Sequence, residues 1–311
     1  MNNFCNVISA FCSATVQEKI LSLYNNLEEQ GLLPKGINYK QNSFNVKLNN
    51  LFFISYNQNT KHSLRNLMSR IDLKKCQVII ISCEEENYFD FAVEYGICNI
   101  IHINRLNEIV LLGITKRFLN QNFCLEHFFE HREKSFDRCY LLSGNICMHN
   151  LIETTFADFI SKIHGQVKNT FIINCHELVT NALAYGVLGI TNNARDKRIY
   201  DIGKYVNIPV GKEIKVHLLM NEDFYGISVT DNSGALTVQR ILERIRRQCI
   251  VAGETIPQGI EDYTGRGLAI LSHHGILAFS IKPGEYTSVS LISHAKEPFE
   301  KKFISILAAE L

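Results

Sequence analysis

Three short groups of polar and glycine residues in the second half of the chain stand at spacings that can build a binding site, and the third of them can hold phosphates. The first is a stripe, Asn174, Glu177, Asn181 and Tyr185, spaced by 3, 4 and 4 residues, which an α-helix aligns along one face. Beside it runs an apolar stripe, Phe171, Cys175, Leu178 and Ala182, spaced by 4, 3 and 4, which is the core face of a helix over 167–185. Polar residues next to a core stripe also arise as a plain solvated face. The second group, Asp231-Asn232-Ser233-Gly234, closes an apolar strand and on its own reads as an ordinary turn. The third, Thr264-Gly265-Arg266-Gly267-Leu268-Ala269-Ile270, sets glycines at the start of a helix. Backbone N–H groups there stay free to meet phosphate oxygens, and the helix dipole favours the negative charge.

Hydrophobic periodicity supplies the elements that must position these groups. Residues 214–220 and 225–230 form an antiparallel strand pair joined by Asn221-Glu222-Asp223, and 277–281 and 287–292 form strands around Pro283-Gly284. A helix over 238–250 carries Arg240, Arg244, Arg246 and Arg247, and 252–262 is rich in Gly, Pro and acids. In the first half, apolar runs at 7–11, 51–54, 77–82 and 98–103 each precede a helical pattern, at 13–30, 60–71, 84–95 and 106–119. A short strand at 37–39 makes five. Strands alternating with helices predict a doubly wound parallel α/β domain. The polar residues 121–135 connect the halves, with His131 as a solvated connector residue, so the expected organisation is 1–120, 121–135 and 136–311.

Composition bounds what such a chain does. With 311 residues, 32 basic against 31 acidic side chains and a formal charge of +1, it has no field that would draw in nucleic acid or an anionic membrane surface. No apolar run approaches the roughly 20 residues that span a bilayer, and 1–5 does not begin a signal peptide. A cytoplasmic location follows as the expectation, with the ten cysteines as free thiols.

The text Asn174-Cys175-His176-Glu177-Leu178-Val179-Thr180-Asn181-Ala182-Leu183-Ala184-Tyr185-Gly186 resembles the N box of the GHKL ATPases, the superfamily of histidine kinases, gyrase and anti-sigma kinases. The turn at Asp231 and the glycines at 265–267 resemble, in order, the adenine-binding Asp-x-x-Gly and the G2 box of that superfamily. The resemblance implies a Bergerat-type α/β sandwich with a mixed, mainly antiparallel sheet over 136–311. It implies ATP and Mg2+ as cofactors, with Asn181 as metal ligand and Glu177 polarising the attacking hydroxyl. Nucleotide contacts fall on Asn181, Tyr185, Asp231, Gly234, Gly265, Arg266, Gly267, Leu268 and Thr287. The helix over 238–250 would belong to a lid, its arginines placed to fold onto the triphosphate. Tyr185 stands where the family often has His, and Ala235-Leu236 replaces its usual Gly-Phe pair.

Tyr185-Gly186-Val187-Leu188-Gly189-Ile190 and Gly265-Arg266-Gly267-Leu268 look most like the anti-sigma or serine kinase branch, often fused to response-regulator receivers. The implied partner is a regulatory protein of the anti-sigma antagonist or response-regulator type, with a homodimer admitted. Val78-Ile79-Ile80-Ile81-Ser82 followed by Ala92-Val93-Glu94-Tyr95-Gly96-Ile97 resembles the fourth strand and helix of such a receiver. Its chemistry is missing, because the first strand ends Ser9-Ala10-Phe11-Cys12, the third Ile54-Ser55-Tyr56-Asn57 and the fifth His102-Ile103-Asn104. Phosphoryl transfer to Asp needs acids there, so a pseudo-receiver is expected. Two other readings stay open, a non-catalytic nucleotide-gated binding module and a histidine kinase-like signalling protein. The second of these needs an acceptor helix that the sequence does not contain.

Overall fold

Gln77 to Ser82 is buried at every position, the mark of a strand covered on both faces. Around it, the computed structural model arranges β1 (Cys5–Ala10), α1 (Ala14–Glu29), β2 (Ile37–Gln41), β3 (Asn49–Ser55), α2 (Lys61–Met68), β4 (Gln77–Ser82), α3 (Phe89–Tyr95), β5 (Ile100–His102) and α4 (Glu108–Asn120). The structure describes residues 5–33, 37–41, 49–56, 60–73, 76–83, 88–120, 122–130, 133–190, 203–248, 266–299 and 303–311; His131 lies outside them. The five strands are parallel, in the order β2-β1-β3-β4-β5. Val16, Ile20 and Ile109 of α1 and α4 pack on one face, and Leu64, Leu67 and Phe91 of α2 and α3 on the other.

The second half contributes β6 (Phe136–Leu142), β7 (Gly144–Cys147), α5 (Met148–Asn150), α6 (Ala157–Ile160), α7 (Gly165–Asn181), β8 (Tyr205–Ile208), β9 (Ile214–Met220), β10 (Phe224–Asp231), α8 (Val238–Arg247), α9 (Arg266–His274), β11 (Ile276–Lys282), β12 (Tyr286–His294) and β13 (Ile306–Glu310). Antiparallel ladders run β6-β9-β10-β12-β11. Strand β13 lies parallel to β11 on one side and antiparallel to β5 on the other. Among the described residues the two halves therefore share one mixed, eleven-stranded sheet, with β7 and β8 as a separate pair. Side chains complete the short β5–β13 seam: the Ala308 N–H donates to Asn99 Oδ1 at 3.0 Å and the His102 N–H to Ser305 Oγ at 3.2 Å. Helices α7, α8 and α9 cover one face of the second half, with Phe171, Leu178, Ile241 and Leu271 against Ile227, Val229, Phe279 and Leu291.

The stretch expected to be a polar connector buries Phe123, Leu125, Phe128 and Phe129 on the opposite face of the sheet. Gly226 makes room, since a Cβ there would lie 2.6 Å from Leu125 Cδ1 and 2.9 Å from Phe129 Cε2. Each fully buried Phe contributes on the order of 2 to 3 kcal/mol. Charge pins the same segment. His217 on β9 meets Glu126 of the connector at 3.2 Å and Asp137 of β6 at 2.9 Å, one carboxylate on each ring nitrogen. Burial alone would lower the His217 pKa, but the hydrogen bonds to Glu126 and Asp137 outweigh it and raise it. The hydrogen bond from His217 brings Glu126 down to about 2. Among the described residues, no helix is long and apolar enough to cross a membrane.

The contribution of His217 is complete below its usual 6.5 and is lost as pH rises through its higher folded value. That of Glu126 is present above its usual 4.5 and is lost as pH falls toward about 2. His217→Asn should therefore cost about 1 to 2 kcal/mol in urea unfolding near pH 5.5 and distinctly less near pH 9. An equal cost at both pH values would remove the doubly bonded imidazolium from the account.

Candidate functional site

Helix α7 does not end cleanly at Asn181. It passes into a widened π-type turn, Ala182–Val187, in which the Leu188 N–H reaches Leu183 O at 2.9 Å and the Ile190 N–H reaches Ala184 O at 2.8 Å. Such turns concentrate at functional sites. Glu177, Asn181, Tyr185 and Gly186 here form one wall of a cavity of about 650 Å³, within the range typical of small-molecule sites.

One end of the cavity is built around a carboxylate. Asp231, the last residue of β10, is buried, and its Oδ1 accepts from the Ser233 N–H at 3.0 Å and from the Ser233 hydroxyl. Burial outweighs these bonds and raises its pKa. The side chain lies directly on the π-type turn: a Cβ at Gly186 would fall 2.3 Å from Asp231 Cγ. Thr287 of β12 is the cross-strand partner of Asp231. It lines the same cavity and is 4% exposed, and its Oγ1 has no hydrogen-bond partner among the described residues. A buried hydroxyl left unpaired costs about 1 to 3 kcal/mol, so this end is incomplete by itself.

The other end joins α7 to α9. Asn181 Nδ2 donates to Glu177 Oε1 at 2.8 Å, and the Glu177 carboxyl rests on Gly267, where a Cβ would lie 1.6 Å from Oε1. Gly267 and Leu268 bring the first turn of α9 into the cavity wall. Overhead, the Thr237 side chain caps α8, which buries Ile241, Leu242 and Ile245 and turns Arg240, Arg244 and Arg247 to the cavity. The Arg244 guanidinium stacks 5.1 Å over the Tyr185 ring. Three guanidinium groups share the cavity wall with a carboxylate and a hydroxyl, a set that suits a ligand with both an anionic part and a hydrogen-bonding part.

The cavity thus gathers Glu177, Asn181, Tyr185, Asp231, Gly267, Leu268 and Thr287. Gly265 lies outside the described residues, and Arg266 opens α9. Gly234 is not in the wall. With φ of +59° it packs on the β11–β12 hairpin, where a Cβ would meet Lys282 O at 2.3 Å and Gly284 N at 2.4 Å. Asn174, expected on the polar stripe, is fully buried between Tyr225 OH at 3.3 Å and His274 Nδ1 at 2.6 Å, a core network. Arg246 points away and bonds Asp90 of α3 at 2.8 Å. Sequence reasoning missed Gly186 and Glu243 as wall residues; no local signal marks either.

Among the described residues, no group of three or more His, Cys, Asp or Glu is set to hold a metal. Asn181 Oδ1, its Nδ2 being engaged with Glu177, is a single neutral oxygen at the cavity, enough for a cation that takes its other oxygens from water and ligand. No family model and no curated protein matches the chain.

Asp231 is held at a cost, because burial raises its pKa and its ionised form weakens the fold as pH rises through that value. Asp231→Asn keeps an acceptor for Ser233 and removes the charge. The ligand-free variant should be at least as stable as wild type at neutral pH by chemical denaturation, with a gain of about 0.5 to 2 kcal/mol. A loss of more than about 1 kcal/mol would mean that the carboxylate is a structural necessity.

Proposed function

We propose that the protein binds Mg-ATP in this cavity and acts as a serine/threonine protein kinase resembling the anti-sigma branch of the GHKL superfamily, with a regulatory protein as its substrate. The observation that carries the reading is the buried Asp231 carboxylate beside the unpartnered Thr287 hydroxyl. A carboxylate accepts from an exocyclic amine and a hydroxyl both donates and accepts, which matches the amine and ring nitrogen of adenine. Guanine presents a carbonyl in place of that amine, so the same pair rejects it. Arg240, Arg244 and Arg247 then face the phosphates. Asn181 Oδ1 would hold Mg2+, which would supply positive charge to offset that of the phosphates.

In this reading Glu177 takes the proton of the partner's Ser or Thr hydroxyl as that oxygen bonds to the γ-phosphorus and the bond to ADP breaks. The antiparallel layer covered by α7, α8 and α9 fits a Bergerat-type domain. The strand order β2-β1-β3-β4-β5 fits a receiver-like domain. At its carboxyl edge the described ends of the five strands, Ala10, Gln41, Ser55, Ser82 and His102, bring no carboxylate to accept a phosphoryl group, so this half serves as a protein-contact or signal-input module. One observation favours a second reading, a nucleotide-gated binding module without catalysis: Glu177 is already bonded to Asn181 and seated on Gly267.

The two readings separate at Glu177. Glu177→Gln retains size and hydrogen bonding but cannot take a proton. Under the kinase reading it binds Mg-ATP as wild type does and transfers labelled phosphate to a partner about 100- to 10,000-fold more slowly. Transfer at the wild-type rate, or none from wild type to any antagonist-type protein, leaves the binding module.

A further inference from the structure

Helix α9 connects two distant environments. Its first turn, at Gly267 and Leu268, is cavity wall. Its last turn receives the side chain of Arg105, which follows β5 in the first half of the chain and is 1% exposed. The Arg105 guanidinium donates to Ser272 O at 2.5 Å and Gly275 O at 2.8 Å through Nη1, and to His273 O at 2.8 Å through Nη2. The Phe299 ring lies 4.9 Å from the guanidinium carbon. Burying a cation is costly unless its donors are met; here Nη1 and Nη2 meet carbonyls that a helix end leaves unsatisfied, and the charge faces the negative end of the helix dipole. Nine residues of helix span only about 13 Å, and so short a rod transmits a shift at one end to the other.

The roof is tied to the first half as well, since Arg246 of α8 donates from Nε and Nη2 to Asp90 Oδ1 at 3.0 and 2.8 Å. That pair is exposed to solvent and weak. The Arg105 fork is buried and fixes the axis of α9.

We propose that Arg105 is a positioning residue for the phosphate-binding end of the cavity, acting through α9, so that the first half of the chain sets how tightly phosphates are held. The inference rests on the adenine-nucleotide reading above. A side chain of purely structural worth would, when changed, weaken all ligands alike. A positioning residue at α9 affects the phosphates and spares the Asp231–Thr287 end, which sits on β10 and β12.

Calorimetric titration of the full chain with ATP, ADP and adenosine, in the presence of Mg2+, distinguishes these cases. Arg105→Gln should weaken ATP about tenfold and leave adenosine unchanged. Arg105→Lys should recover part of the loss, because an ammonium reaches some of the carbonyls without reproducing the fork. Equal losses for ATP and adenosine, or no loss for either, would overturn the proposal while leaving the nucleotide reading intact. Wild type that binds neither ligand would overturn both. Hydrogen exchange on wild type gives an independent test that survives a variant failing to fold. ATP should slow exchange at 272–275 and 103–106 as well as at 177–187, and protection confined to 177–187 would reject the coupling.

Discussion

A carboxylate buried at the end of a strand, against the Cα of a glycine, is the contact around which the cavity is organised. Asp231 touches Gly186 so closely that no side chain fits between them, which brings the end of β10 against the π-type turn after α7. The strand pairing sets Thr287 beside it, and Ser233 folds back to satisfy one oxygen. An ionisable group and a hydroxyl without a partner among the described residues stand side by side there, and each is costly to bury. That cost is local and polar, and both side chains line a cavity, the pattern expected where stability is traded for binding.

The remainder of the wall depends on helices whose positions are set from outside the cavity. Helix α7 is seated by Phe171, Cys175 and Leu178 and by the buried Asn174–His274 bond to α9. Helix α9 is held at its far end by Arg105, and the turn that carries Arg105 is fixed by the β5–β13 seam. A sheet that runs unbroken through both halves makes the first half part of the site's support. Connector residues 123–129 close the opposite face with aromatic side chains, and the His217 pair of carboxylates keeps them there.

Much of this was legible in the chain because periodicity is local. The stripe Glu177, Asn181, Tyr185 lies on one helical face, and the strands carrying Asp231 and Thr287 alternate or run apolar as strands should. What escaped was set by partners far away in sequence. Asn174 shares the spacing of the stripe but turns inward, because Tyr225 and His274, 51 and 100 residues on, offer it hydrogen bonds. Gly186 looks like any helix-ending glycine until Asp231 arrives against it. Strand β13, Ile-Leu-Ala-Ala-Glu, has two alanines and no alternation, so only its slot between β5 and β11 makes it a strand. The phenylalanines of the connector follow no period, and they are received far along the chain or across the sheet, Phe129 at the notch of Gly226 and Phe128 at that of Gly113.

The central claim is that the Asp231–Thr287 end selects adenine, and unfolding of the wild-type protein with Mg2+ and either ATP or GTP tests it most directly. A ligand at about 100 times its dissociation constant raises stability by about 2.7 kcal/mol. The account predicts that shift with ATP and little or none with GTP at the same concentration; equal shifts with both nucleotides, or no shift with ATP, would contradict it.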